Sequence, residues 1–190
     1  MAERLAPPKT ARMASRILAP ARGFLRARGG AAAVEMALVA TPFFLLLFGI
    51  IELAMIFLVS SSLENATSQA ARTIRTGEMQ TGGGTSASFK TQICNNFGWL
   101  QSDCNSNLYV DVRTYASFAS VTDPQPVQNQ TFNAGALQFT PGGPSDIVVV
   151  RAYYQWPLIA PLMSQALQTL SGGKVLLTST ATFRNEPYGS

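Results

Sequence analysis

From Met36 to Val59 the chain reads MALVATPFFLLLFGIIELAMIFLV, a run of 24 residues whose one formal charge is Glu52. At about 1.5 Å per residue the run makes a helix of about 36 Å, enough to cross a hydrocarbon core of about 30 Å with some tilt. It is too long for the apolar part of a cleaved signal peptide. The run gives way to Ser60-Ser61-Ser62-Leu63-Glu64, with no small-residue cleavage pattern. The pattern therefore predicts one transmembrane helix with its C-terminal side outside. Pro42 lies within it and frees the carbonyl of Leu38, a defect that Thr41 or neighbouring helices can relieve.

The periodicity then changes without a break. Residues 63–76 read LENATSQAARTIRT, with Leu63, Ala66, Ala70 and Ile74 at helical spacing, so the membrane helix continues outward as an amphipathic stem. Gly77 and the Thr81-Gly82-Gly83-Gly84-Thr85 cluster end it. Beyond, Phe89, Ile93, Phe97 and Leu100 mark a short helix over 88–101. Strands are predicted over 108–117, 146–156 and 174–184. Between the last two strands, residues 158–170 carry apolar groups at helical spacing, read as core positions and closed by Gly172-Gly173. The segment 119–144, with Pro124, Pro126, Pro141 and Pro144, is predicted to be a long surface loop and a candidate contact site. The fold class is α+β: a long N-terminal transmembrane helix with its stem, then a small antiparallel sheet packed with one or two helices.

Charge changes the picture at the N-terminus. The overall formal charge of +4 conceals an arm, residues 1–30, with seven Lys or Arg against one Glu; the rest of the chain has seven basic groups against nine acidic ones. The arm reads as a solvated basic tail that holds the N-terminus in the cytoplasm. No aromatics interleave with its arginines in the manner of a nucleic-acid-binding segment, and the folded part is not basic, so no nucleic-acid partner is expected. The chain has no His, no P-loop and no G-x-S-x-G, and its carboxylates show no catalytic spacing, which argues against an enzyme. No cofactor is implied and no metal site is expected. The even count of two cysteines, Cys94 and Cys104, suggests one disulfide in an oxidising compartment.

Two carboxylates remain. Glu35 stands at the mouth of the span, where the helix dipole favours a negative charge and arginines are close by. Glu52 lies inside the apolar run and must be neutral or paired with a group on another helix, so Glu35, Glu52 and the bend at Pro42 are candidates for helix-to-helix association.

The arginine-rich arm, Gly30, then Ala31-Ala32-Ala33-Val34-Glu35 at the edge of an apolar helix resembles the processing site of type IV prepilins, in which cleavage comes after a glycine and glutamate is the fifth mature residue. The longer string RGGAAAVEMALVATPFFLLLFGIIELAMIF resembles the TadE-like family, pseudopilins of the tight-adherence (Flp) type IV pilus system. The QAAR stem, YYQWP at Tyr153 to Pro157 and RNEPY at Arg184 to Tyr188 fit the same family. Met36 departs from the aromatic that comes after the glutamate in major Flp pilins, and the long C-terminal part departs from their short length. Both departures point to a minor pseudopilin.

The resemblance implies cleavage by a prepilin peptidase after Gly30, with Gly30, Ala31 and Glu35 as the processing site. Further implied partners are other Tad pilins or pseudopilins, the inner-membrane assembly platform and membrane lipid. The place implied is the bacterial inner membrane, single-pass, with a periplasmic C-terminal domain that either stays there or enters an extracellular pilus. On this reading residues 1–30 are a basic cytoplasmic leader, 31–76 the span and stem, 77–87 a Gly-rich linker and 88–190 the extracytoplasmic domain. The contending reading is an unprocessed signal-anchored envelope protein with an extracytoplasmic binding domain and Glu52 in a dimer contact.

Overall fold

The computed structural model describes residues 30–160 and 165–189. The expected leader, Gly30 apart, lies outside them. The chain divides between Leu47 and Phe48 into two units, which are taken in turn.

The first unit holds the N-terminal part of helix α1, Ala31–Arg75, which starts in alanines and meets no glycine before Gly49. From Ala31 to Leu47 every residue except Ala40 is exposed, Val34, Leu38, Phe43 and Leu46 among them. A contiguous apolar surface of this extent is stable in lipid rather than in water, and between its end turns the helix pairs its backbone groups internally, the Leu38 carbonyl opposite Pro42 excepted. The helix has the length and apolar composition to cross a membrane and is compatible with a single-pass anchor. Pro42 sits within it. The nearby Thr41 hydroxyl donates to the Ala37 carbonyl at 2.8 Å, not to the Leu38 carbonyl that Pro42 frees.

In the second unit α1 buries one stripe. Val59, Leu63, Ala66, Thr67, Ala70 and Ile74 are all fully buried, and the four stem residues picked out by periodicity are among them. Alanines alternate with the larger Leu63 and Ile74 along this stripe, which belongs to the same buried cluster as the sheet. Gly77, at φ 82°, turns the chain out of the helix in a left-handed conformation natural to glycine. The expected linker contains the one-turn helix α2, Glu78–Thr81. Helix α3, Ser86–Asn95, opens on a capping box between Thr85 and Ser88. Residues 88–101 are therefore not one helix: after α3 comes a tight turn at Gly98–Leu100 and then α4, Gln101–Asn107. A disulfide joins Cys94 on α3 to Cys104 on α4, with a Cα–Cα distance of 5.5 Å, and holds these two short helices together.

Three long strands complete the unit: β1, Leu108–Tyr115; β4, Ile147–Pro157; and β5, Lys174–Arg184. They form an antiparallel sheet in the order β1-β4-β5. Between β1 and β4 lies a two-stranded ribbon of β2, Val127–Gln128, and β3, Thr131–Phe132, so the expected loop 119–144 carries a small hairpin. Val148, Val150, Ala152, Tyr154 and Trp156 of β4 join the core with the α1 stripe, Phe89, Ile93 and Phe97. The Tyr154 ring meets Phe97 edge-on at 4.9 Å. Alternation sends Val149, Arg151 and Tyr153 to the other face, yet these are buried as well.

The helix expected over 158–170 does not form at its start. The Leu158 N–H donates to the Gly173 carbonyl, prolonging the β4–β5 ladder, and Ile159 is 68% exposed rather than in the core. Pro161 biases Ala160 away from helical backbone, which turns the donors of this segment elsewhere. Residues 165–167 are helical, whereas 161–164 lie outside the described residues.

Candidate functional site

The residues singled out in the sequence fall at separate places. Gly30, Ala31 and Glu35 stand together at the start of α1, all exposed, and Pro42 is farther along the same unit; Glu52, Cys94 and Cys104 belong to the second unit. At Gly30 a Cβ would meet nothing within 4 Å. Nothing in the described structure thus demands glycine there. Glu35, four residues after Ala31, lies one turn along the same helix face.

Glu52 is only 3% exposed. Its Oε2 accepts hydrogen bonds from the backbone N–H groups of Ile159 and Ala160, both at 3.0 Å. A carboxylate can take two such donors on one oxygen, and charge-assisted bonds are the stronger kind. Oε1 is buried with no hydrogen-bond partner among the described residues. The glutamate in the apolar run therefore clasps the segment after β4, a role that periodicity could not show because its partners are backbone groups 107 and 108 positions away.

A second constellation carries no motif in the sequence. On the outer face of the sheet Asp111 and Arg151 are register partners, and the Asp111 side chain is fully buried. The Arg113 Nε donates to both Asp111 oxygens, at 2.9 and 3.0 Å, and the Arg151 guanidinium reaches Oδ2 at 3.3 Å. The Gln138 N–H also donates to Asp111. The two arginines pass outward, Arg113 to the Ala136 carbonyl and Arg151 to the Thr122 carbonyl. Beside them runs an open groove of about 540 Å³ lined by Asp123, Arg151, Tyr153, Thr178 and Thr180 among others. The Tyr153 hydroxyl is buried without a partner among the described residues, and burial pushes its phenol up to about 12. Opposite charges at outward positions of two predicted strands were the available signal.

The terminal RNEPY string closes over the end of the stem. Glu186 donates its N–H to the Arg75 carbonyl, capping α1, and its side chain pairs with Arg75 at 3.2 Å. The Asn185 amide donates to the Pro141 and Gly143 carbonyls, and the Tyr188 hydroxyl to that of Gly142. In YYQWP, Tyr154 and Trp156 are core residues, and Trp156 meets Trp99 edge-on at 6.4 Å. No group of three or more His, Cys, Asp or Glu that could hold a metal occurs among the described residues.

Residues 30–72 match the family model of the TadE-like protein, which covers Gly30, Glu35, Glu52 and most of the stem. That family is associated with the Tad pilus and is not known for enzymatic activity. No curated protein and no solved structure matches the chain.

Proposed function

We propose that this protein is a minor pseudopilin of a Tad (Flp) pilus, cleaved by a prepilin peptidase after Gly30 and acting in pilus assembly, initiation or surface adhesion. The observation that carries the reading is the family match, which begins at Gly30 and runs through the whole apolar helix. Helix α1 starts at Ala31, the residue that such a cut makes the new N-terminus. Among the described residues no packing contact calls for glycine at position 30, which is consistent with recognition by another protein. Cleavage removes the strongly basic arm and leaves an ammonium at Ala31 one turn from Glu35, nearly neutral at the membrane edge. In a bundle of such helices the Glu35 carboxylate and the Ala31 ammonium of a neighbour attract each other in a low dielectric and set the register. Residues 31–76 then form the assembly helix and stem, and the domain beyond them presents the contact surface on the periplasmic side.

The test is the N-terminal sequence of the membrane-extracted protein, expressed with its prepilin peptidase beside Gly30→Leu and Glu35→Ala variants. The expected result is a start at Ala31 in the wild type and an intact arm in the Gly30→Leu variant. Glu35→Ala separates the two uses of the carboxylate, since cleavage without pilus assembly assigns it to assembly. An intact Met1 arm in every sample would sink the proposal and leave an unprocessed signal-anchored protein.

A further inference from the structure

The Glu52 clasp fixes where the folded domain meets α1. Glu52 and Val59, the last residue of the apolar run, are seven positions apart, about 10 Å of helix, so the clasped segment lies beside apolar helix and not beside the polar stem. The clasp also completes the donor accounts of this segment. Pro157 has no N–H, Leu158 donates to Gly173, and Ile159 and Ala160 donate to Glu52. Four consecutive residues thus present no unsatisfied backbone donor, which meets the donor half of the condition that a lipid environment imposes.

The side chains at the same end of the sheet agree. Ile159 is 68% exposed and Trp99 56%, and on the adjoining turns of α1 Phe57 and Leu58 are exposed too. Trp99 reaches this end through Trp156, which lies three residues before Ile159. One exposed isoleucine would need no explanation. Here the exposed apolar groups come from three segments free of formal charge, between Glu52 and Glu64, between Lys90 and Asp103, and between Arg151 and Lys174. Lys174, the register partner of Pro157, is the nearest cation along the sheet.

We propose that this end of the domain is a lipid-docking surface. Trp99 and Ile159 enter the interfacial layer of the leaflet from which α1 emerges, and Lys174 lies at the level of the headgroup phosphates. Tryptophan favours that layer because its ring is apolar and its N–H polar, and a lysine stem reaches from apolar surface to phosphate. The proposal rests on reading α1 as a membrane span. It gives Glu52 a purpose besides helix association: the carboxylate satisfies the donors of a loop that lies at the membrane interface, where water is scarce.

The test uses the full-length chain in phosphatidylcholine and phosphatidylglycerol vesicles and its own fluorescence, because Trp99 and Trp156 are its two tryptophans. Lipids brominated near the glycerol end of the acyl chains should quench the emission, and those brominated near the bilayer centre should quench it less. Subtracting a Trp99→Phe variant, whose exposed site tolerates the change, assigns the loss to Trp99. Ile159→Asn, which keeps its backbone donor, should weaken the quenching. Alkaline extraction separates the two readings. A chain that resists extraction while Trp99 ignores every brominated lipid overturns the docking surface alone. A Trp99 signal that tracks protein-to-lipid ratio instead of bromine assigns the surface to a second copy and also overturns it. A chain released by alkali overturns the span, and the surface with it.

Discussion

Asp111 and Arg151 face each other across the β1–β4 pair, and their contact, with Arg113 on the other side of the carboxylate, ties the long 116–146 excursion to the sheet. Arg151 is 5% exposed, so the pair is a buried one whose worth lies in completeness. Asp111 takes donors from two guanidinium groups and one backbone N–H, and each arginine makes one further bond, Arg151 to the Thr122 carbonyl and Arg113 to that of Ala136.

Asp111→Ala leaves the Arg151 charge buried and uncompensated, and the expected loss is about 3–5 kcal/mol. The whole outer segment is expected to loosen before the sheet does. Denaturant unfolding of the detergent-solubilised protein gives the first quantity. Amide exchange at Gln138, whose N–H loses its acceptor, gives the second. Unchanged exchange at Gln138 would show that the segment is held by something else.

Glu52 makes a graded series. Glu52→Gln keeps an acceptor oxygen for the Ile159 and Ala160 donors and is expected to hold the segment less firmly. Glu52→Leu suits the apolar run but strands both donors, at about 1–3 kcal/mol each where water is excluded. Exchange rates of these two amides should rise in the order wild type, Gln, Leu. Equal rates in all three would show that the clasp contributes nothing.

Gly77 and Tyr188 test the closing strap. A Cβ at Gly77 would fall on the Tyr188 ring, and its φ of 82° strains any other residue. Gly77→Ala should therefore displace the C-terminal tail as well as strain the turn, the strain alone costing about 1–2 kcal/mol. In a Tyr188→Ala background the steric part is already gone, so Gly77→Ala should cost less there. Additive losses in thermal unfolding would refute the contact.

How far the chain can be read depends on what each element rests on. Leu63, Ala66, Ala70 and Ile74 are legible because burial of a helix stripe is a local periodic signal, and all four are fully buried. The three long strands are legible to within two residues, because outward and inward residues alternate in the first and last and β-branched and aromatic residues crowd the middle one. The segment after Trp156 reads as helix from its first residue and is not one there, since apolar spacing alone cannot register that Pro161 and the distant Glu52 take its start out of a helix. Asp111 and Arg151 are not legible as a pair because their 40-residue separation hides a register that only strand order creates. Gly30 and Glu35 are the opposite case: the proposal for them rests on a motif, and both are exposed with no packing role among the described residues.

Tyr153 makes a prediction about pH. Burial raises its phenol to about 12; the Arg151 guanidinium pulls the other way, and the Asp123 and Asp111 carboxylates push it higher. In the unfolded chain the phenol ionises near its ordinary value of about 10. Below that pH both states hold the proton, and Tyr153 contributes its full share to stability. Between about 10 and 12 the unfolded chain releases the proton while the folded one keeps it, so stability falls as pH rises through this window. Burial raises the Tyr154 and Tyr188 phenols as well, so an ultraviolet phenolate titration should show several tyrosines above an ordinary phenol, with one such component lost in Tyr153→Phe. Because the hydroxyl is buried without a partner among the described residues, Tyr153→Phe should be neutral or stabilising at pH 7, and the variant's unfolding midpoint should decline less steeply above pH 10. A variant that is clearly destabilised at neutral pH would show that the hydroxyl has a partner, and the groove beside Arg151 would then need a different account.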